Sequence, residues 1–75
     1  INKNLYSGFN PVSVSIKMIG KTLSSISGTC VIKSAKLFDS SQGKEVDIDT
    51  SYKFLPSDIN NGLRISVDQS CLLSE

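Results

Sequence analysis

A chain of 75 residues has room for one domain, and a domain of this size buries only roughly 60 to 65% of the surface that its unfolded chain exposes. The sequence contains no histidine, which excludes a Ser-His-Asp or Cys-His nucleophile within the chain. Binding of nucleic acid calls for a basic face, which a net charge of +1 does not indicate, and we therefore expect no nucleic acid to bind.

The first eleven residues carry no periodic pattern of apolar and polar side chains. We predict a single domain over residues 1–75, with an irregular start at 1–11 and a core at 12–72. Tyr6 and Phe9 place two large rings in the unpatterned start. These rings either pack on the sheet or contact a partner protein.

The first periodic segment is PVSVSIKM, residues 11–18, in which apolar and polar residues alternate. A period of two is typical of a half-buried strand, and the serines and lysine on its polar face favour an exposed edge strand. An edge strand can bind a partner by strand addition. The candidate partner-binding residues of this strand and of the preceding start are Tyr6, Phe9, Val12, Val14 and Ile16.

The segment from Thr22 to Phe38 does not alternate, because each of its strand faces would carry polar residues in the middle. Helical spacing describes it better. The apolar stripe of this predicted helix contains Leu23, Ile26, Cys30, Val31, Leu37 and Phe38. Gly28 opposes the helix by about 1 kcal/mol relative to alanine.

The period of two returns at residues 45–54, where Val46, Ile48 and Phe54 share one face. The Asn61-Gly62 dipeptide favours a tight turn, and residues 63–68 alternate again. We predict a hairpin over residues 45–68 at the centre of a mostly antiparallel sheet. With the helix packed on one face of that sheet, the predicted fold class is α+β.

The two cysteines both fall on apolar faces of their predicted elements. Cys30 lies on the helix stripe, and Cys71 continues the apolar face of the last strand. A helix packed on the sheet would bring them together, which predicts a disulfide that closes a long loop and stabilises a small core. The alternative is a pair of buried reduced thiols, which a cytosolic protein would allow.

No group of residues specifies a reaction or a cofactor. Two cysteines without histidine make a poor zinc site, and no glycine-rich phosphate loop occurs. Glu45, Asp47 and Asp49 alternate along one strand face and could offer oxygens to calcium, but we interpret them as the solvated face of an amphipathic strand. We expect a binding protein without catalytic residues, metal or cofactor.

Three local features resemble the periplasmic sensor domains of ToxR-type membrane-anchored transcription regulators. These are LSSISGTCVIK, the strand GLRISV after a polar turn, and Cys71 near the end of the sequence. The resemblance covers residues 12–72. It implies a periplasmic domain of an inner-membrane protein, with the membrane anchor and a DNA-binding domain outside this chain.

The same resemblance implies a disulfide between Cys30 and Cys71 and a heterodimer with a membrane-anchored periplasmic partner of the ToxS type. Such a pair can receive small amphipathic molecules, such as bile salts, as signals. A second hypothesis belongs to a different class: a secreted structural module, pilin-like or part of a secretion system, that acts by strand addition. A cleavable signal peptide upstream of Ile1 would favour the secreted module, and a transmembrane helix there would favour the sensor.

Overall fold

The computed structural model describes residues 2–74, with Asn60 described by its backbone alone. Residues 2–74 form six strands and three short 3-10 helices, and these helices lie in the connections at Ile16–Met18, Ser24–Ile26 and Pro56–Asn60. The strands are β1 (Asn2–Leu5), β2 (Gly8–Ser13), β3 (Ile32–Asp39), β4 (Lys44–Ile48), β5 (Gly62–Val67) and β6 (Cys71–Ser74).

The strands form two antiparallel sheets. One has four strands in the order β2-β5-β3-β4, and the other pairs β1 with β6. Residues 2–74 contain no α-helix, and the α+β prediction is therefore wrong: the protein is mostly β. In the same range, no helix is long and apolar enough to cross a membrane.

The predicted helix over residues 22–38 is replaced by a 3-10 turn, a loop and strand β3. Gly28 adopts a left-handed φ of 57°, which ends any helical path. Leu23, Ile26 and Cys30 are nevertheless buried, because the turn and loop bring them to the core without helical hydrogen bonding. Burial of the stripe was therefore predicted correctly for Leu23, Ile26, Cys30 and Leu37 and wrongly for Val31 and Phe38, which are exposed.

The predicted hairpin over residues 45–68 is also wrong. Strand β4 ends at Ile48, and β3 lies between β4 and β5 in the sheet. The true hairpin joins β3 to β4 through a turn that ends at Gly43, whose φ is 69°. The alternation of β5 is confirmed, since Leu63, Ile65 and Val67 are all buried.

The N-terminal predictions need two corrections. Residues 2–5 are not irregular, because β1 pairs with β6 from Asn2 opposite Ser74 to Leu5 opposite Cys71, and β2 already begins at Gly8. The strand predicted over 11–18 ends at Ser13. Beyond it the chain turns into a 3-10 helix that buries Met18 and leaves Ile16 exposed.

The core lies between the two sheets and the connecting turns. Its fully buried large side chains are Leu5, Met18, Leu23, Ile26, Phe54, Leu63 and Ile65. The predicted disulfide between Cys30 and Cys71 is confirmed, with a Cα–Cα distance of 5.0 Å. It joins the loop before β3 to the first residue of β6 and thus ties the two sheets together.

Candidate functional site

The four-stranded sheet turns one face toward the core and the other toward solvent. Strand register places Pro11, Arg64, Lys36 and Asp47 in one row across all four strands. Residues two positions along each strand share that side of the sheet. We define the outer face by its residues Phe9, Pro11, Ser34, Lys36, Phe38, Glu45, Asp47 and Arg64.

Arg64 lies near the centre of the outer face and is held by two neighbours. Its Nε and Nη2 atoms each donate a hydrogen bond of 2.7 Å to the carboxylate of Glu45. Its guanidinium carbon lies 4.8 Å from the centroid of the Phe9 ring, within range of a cation–π contact. The hydrogen bond from Arg64 lowers the pKa of Glu45, and the same contact raises the pKa of Arg64. Glu45 and Phe9 thereby hold the guanidinium in place.

Two aromatic rings lie on this face on either side of Arg64. Phe9 is 45% exposed on β2, and Phe38 is 39% exposed on β3, opposite Glu45. Lys36 donates a hydrogen bond of 2.9 Å to Asp47 on the neighbouring strand. Exposed ion pairs of this kind contribute little to stability. A gain in stability therefore does not explain why these charged side chains lie between two exposed aromatic rings. Aromatic residues and arginine are the residue types enriched at binding hot spots.

The two edges of this sheet are poor sites for strand addition. Strand β2 has Pro11 at its middle, and proline lacks the N–H group that an added strand would use. Strand β4 is short and directs Glu45 and Asp47 outward. Both are features that native sheets use to discourage edge pairing.

The five sequence-predicted partner residues do not form one surface. Val12 and Val14 are only 6% and 3% exposed and belong to the core, because β2 directs Val12 inward and the following turn buries Val14. Tyr6 precedes β2 and Ile16 follows it, so these exposed residues lie at opposite ends of that strand. Phe9 alone of the five belongs to the outer face.

Sequence reasoning missed Arg64, Phe38 and Glu45 as parts of a common surface. The helix prediction had placed Phe38 on a core stripe, and the hairpin prediction had paired Arg64 with the wrong strand. The available signal was the alternation over residues 34–38, in which Ala35 and Leu37 are buried. No short sequence pattern predicts the strand order that brings Arg64 beside β3.

The row of acids predicted along residues 45–49 is divided among separate partners. Glu45 binds Arg64, Asp47 binds Lys36, and Asp49 accepts hydrogen bonds from the N–H and hydroxyl of Ser51. The Ser51 hydroxyl lowers the pKa of Asp49. In the described range, no three acids or cysteines come close enough to hold a metal ion.

Comparison of the chain with protein-family models, curated proteins and solved structures found no match. The resemblance to ToxR-type sensor domains therefore stays a prediction. The resemblance used a chain order of strand, helix and hairpin. Residues 2–74 contain neither the predicted helix nor the predicted hairpin, whereas the disulfide is present. The functional hypothesis consequently depends on the geometry of the outer face.

Proposed function

We propose that this chain is a non-enzymatic interaction domain that binds a protein partner on the outer face of its four-stranded sheet. The observation that carries the proposal is the arrangement around Arg64, whose guanidinium is held by Glu45 and stacked on Phe9 in an exposed position. A side chain that is already ordered loses little conformational entropy when a partner covers it. The free energy of burying Phe9 and Phe38 is then available for binding.

We propose that the partner is a different protein, and the support is that both edges of the four-stranded sheet disfavour pairing of two copies by strand addition. If β4 paired with β4 of a second copy about Val46, Glu45 would lie directly opposite Asp47 of that copy. Like charges directly opposite each other destabilise a sheet. On β2, Pro11 removes an N–H from the middle of the strand. These features weigh against the secreted module that acts by strand addition.

The proposed compartment is oxidising, and we propose the periplasm. The support is the disulfide between Cys30 and Cys71, since disulfides persist in secreted and periplasmic proteins and are rare in the cytosol. A membrane-anchored periplasmic partner would then form the heterodimer expected of a regulator's sensor domain. Secretion is the alternative location, and the disulfide supports it equally.

Site-specific photo-crosslinking tests the proposed surface. A crosslinking residue replaces Ser34, which is exposed on the outer face, or Ser25, which is exposed on a 3-10 turn outside it. The domain is co-expressed in an oxidising compartment with the protein encoded by the neighbouring reading frame. We expect a heterodimer crosslink from position 34 and none from position 25. A crosslink to a second copy would instead support the self-assembling module.

Point variants test the residues of the surface. Phe9→Ala and Arg64→Ala are each expected to weaken the heterodimer by roughly thirtyfold or more, the effect of truncating a hot-spot residue. Ile16→Ala is the matched control, because Ile16 is 78% exposed and lies outside the outer face. Melting curves check that each variant folds. Equal effects of Phe9→Ala and Ile16→Ala would contradict the proposal.

A further inference from the structure

A cavity of about 330 Å³ lies between the β3–β4 turn and the connection from β4 to β5. Its apolar part is formed by Leu37 and Val46, which belong to the inner side of the sheet. Its polar part is formed by Asp39, Tyr52 and Asp58, among other residues. We name it the turn cavity. Because the outer face is on the other side of the sheet, the inference drawn from this cavity does not depend on the proposed protein partner.

The hydrogen-bond donors around Asp58 are already used within the protein. Asp58 is 4% exposed, and its Oδ2 accepts hydrogen bonds from the Tyr52 hydroxyl at 2.6 Å and from the Leu55 N–H at 2.9 Å. Its Oδ1 accepts a longer hydrogen bond of 3.3 Å from Asn61 Nδ2. The Tyr52 oxygen, having donated its proton to Asp58, keeps its acceptor capacity.

The second carboxylate of the cavity is likewise held by donors of the protein. Asp39 accepts hydrogen bonds from the Ser41 N–H at 2.9 Å, the Ser41 hydroxyl at 2.6 Å and Gln42 Nε2 at 2.8 Å. These contacts, the Ser41 hydroxyl first, lower the pKa of Asp39, so its carboxylate is charged at neutral pH. Its negative charge is among the causes that raise the pKa of Tyr52, after burial and Asp58.

We propose that the turn cavity binds a small organic cation that carries a primary ammonium group on an apolar body. Asp39 and Asp58 are held in place by donors of the protein, and their two carboxylates give the cavity acceptors and negative charge for a ligand. An ammonium group brings three donors and no acceptor. Among the described residues that line the cavity, none is a lysine or an arginine. Leu37 and Val46 provide apolar surface for the rest of the ligand.

Three probes of equal chain length test the chemical class. Hexylammonium, 1-hexanol and hexanoate are titrated into the disulfide-bonded protein, and amide shifts of residues 39–41 and 57–58 are followed by NMR. Hexylammonium is expected to bind roughly tenfold tighter than 1-hexanol at low ionic strength, because two carboxylates attract it. Equal affinities of these two probes, or tighter binding of hexanoate, would overturn the proposal.

A matched pair of variants tests the position. Asp39→Asn is expected to weaken hexylammonium binding by roughly fivefold. Asp49→Asn is the control, because Asp49 makes the same turn contacts with Ser51 but does not line the cavity. The control is expected to change the affinity by less than about twofold. Equal effects of the two variants would refute a specific site.

One further variant keeps the test decisive if Asp39→Asn unfolds the protein. Tyr52→Phe retains the ring, removes the hydroxyl oxygen and frees the Asp58 Oδ2 acceptor that this hydroxyl occupied. Because a carboxylate is a stronger acceptor than a phenol oxygen, we expect hexylammonium to bind roughly threefold tighter. Binding of 1-hexanol is expected to change less. If Tyr52→Phe leaves the ratio of the two affinities unchanged, the ammonium group does not bind beside the Tyr52 hydroxyl and the proposal fails.

Discussion

Gly28 offers the sharpest test of how the two sheets are joined. Its φ of 57° is left-handed, and a Cβ atom built on it would lie 2.2 Å from the carbonyl oxygen of Leu72 on β6. The contact cannot be relieved by a side-chain rotation. The Leu72 oxygen belongs to the backbone, and the backbone fixes the position of a Cβ atom. Strand β6 would have to withdraw, yet the adjacent Cys30 is bonded to Cys71 at the start of that strand.

The expected cost of Gly28→Ala has two parts. Alanine in a left-handed conformation costs about 1 kcal/mol. Withdrawal of β6 would also break the hydrogen bond from Thr29 N–H to the Leu72 oxygen, 3.0 Å, and the bond from Leu72 N–H to the Thr29 hydroxyl, 2.8 Å. At about 1 kcal/mol each, these bring the expected loss to about 3 kcal/mol. Total stability of a domain this size is on the order of 4 to 11 kcal/mol.

Gly43→Ala is the matched control. Gly43 has a similar φ of 69°, but no atom lies within 4 Å of the position that its Cβ would occupy. It should lose only the conformational part, about 1 kcal/mol. Urea unfolding of the oxidised variants, followed by far-UV circular dichroism, measures both losses. If the two variants lost equal free energy of unfolding, the close approach of Gly28 to β6 would be refuted.

Two further predictions concern the disulfide and the half-buried Tyr52. Replacing both Cys30 and Cys71 with alanine, which opens a loop with a sequence separation of 41, should lower the free energy of unfolding by about 4 kcal/mol in urea titrations; a loss below about 1 kcal/mol would contradict the stabilising role. Burial and the hydrogen bond to Asp58 raise the pKa of Tyr52 from 10.0 to about 12. Tyr6→Phe leaves Tyr52 as the remaining tyrosine of the sequence. The phenolate absorbance of this variant should therefore appear with a midpoint near pH 12. Because the folded-state pKa is the higher one, this stabilisation is complete below pH 10 and lost as pH rises toward 12; an ordinary midpoint, or a Tyr52→Phe variant with the same loss of stability over that range, would count against the buried contact.

The parts of the fold that could be predicted are those with short-range alternation. Strand β5 was identified because Leu63, Ile65 and Val67 alternate with polar residues and all three face the core. The start of β4 followed from the same period. Strand β3 was missed because its register shifts between Ile32 and Ser34, so apolar residues before and after the shift do not keep one parity.

The candidate site was less predictable than the fold. Phe9 was predicted as a candidate partner-binding residue because its segment has no periodic pattern that indicates burial. The structure exposes this side chain. Its neighbour Arg64 lies 55 positions later and resembles any polar residue on a solvated strand face. The turn cavity also joins distant segments, because it is lined by Asp39 at the end of β3 and by Asp58 in the connection from β4 to β5. Contacts between residues so far apart in the sequence produce no periodic pattern from which they could be predicted.

By itself, the sequence determined that Leu63, Ile65 and Val67 share a buried face and that the two cysteines share an apolar environment. Those outcomes depend on hydrophobicity and on short-range periodicity, which each residue carries wherever the chain folds. Tertiary structure alone decided the strand order β2-β5-β3-β4, the pairing of β1 with β6, and hence the groups that surround Arg64. Strand order is a competition among non-local pairings whose backbone hydrogen bonds are alike, so only the packing of the whole core selects one of them.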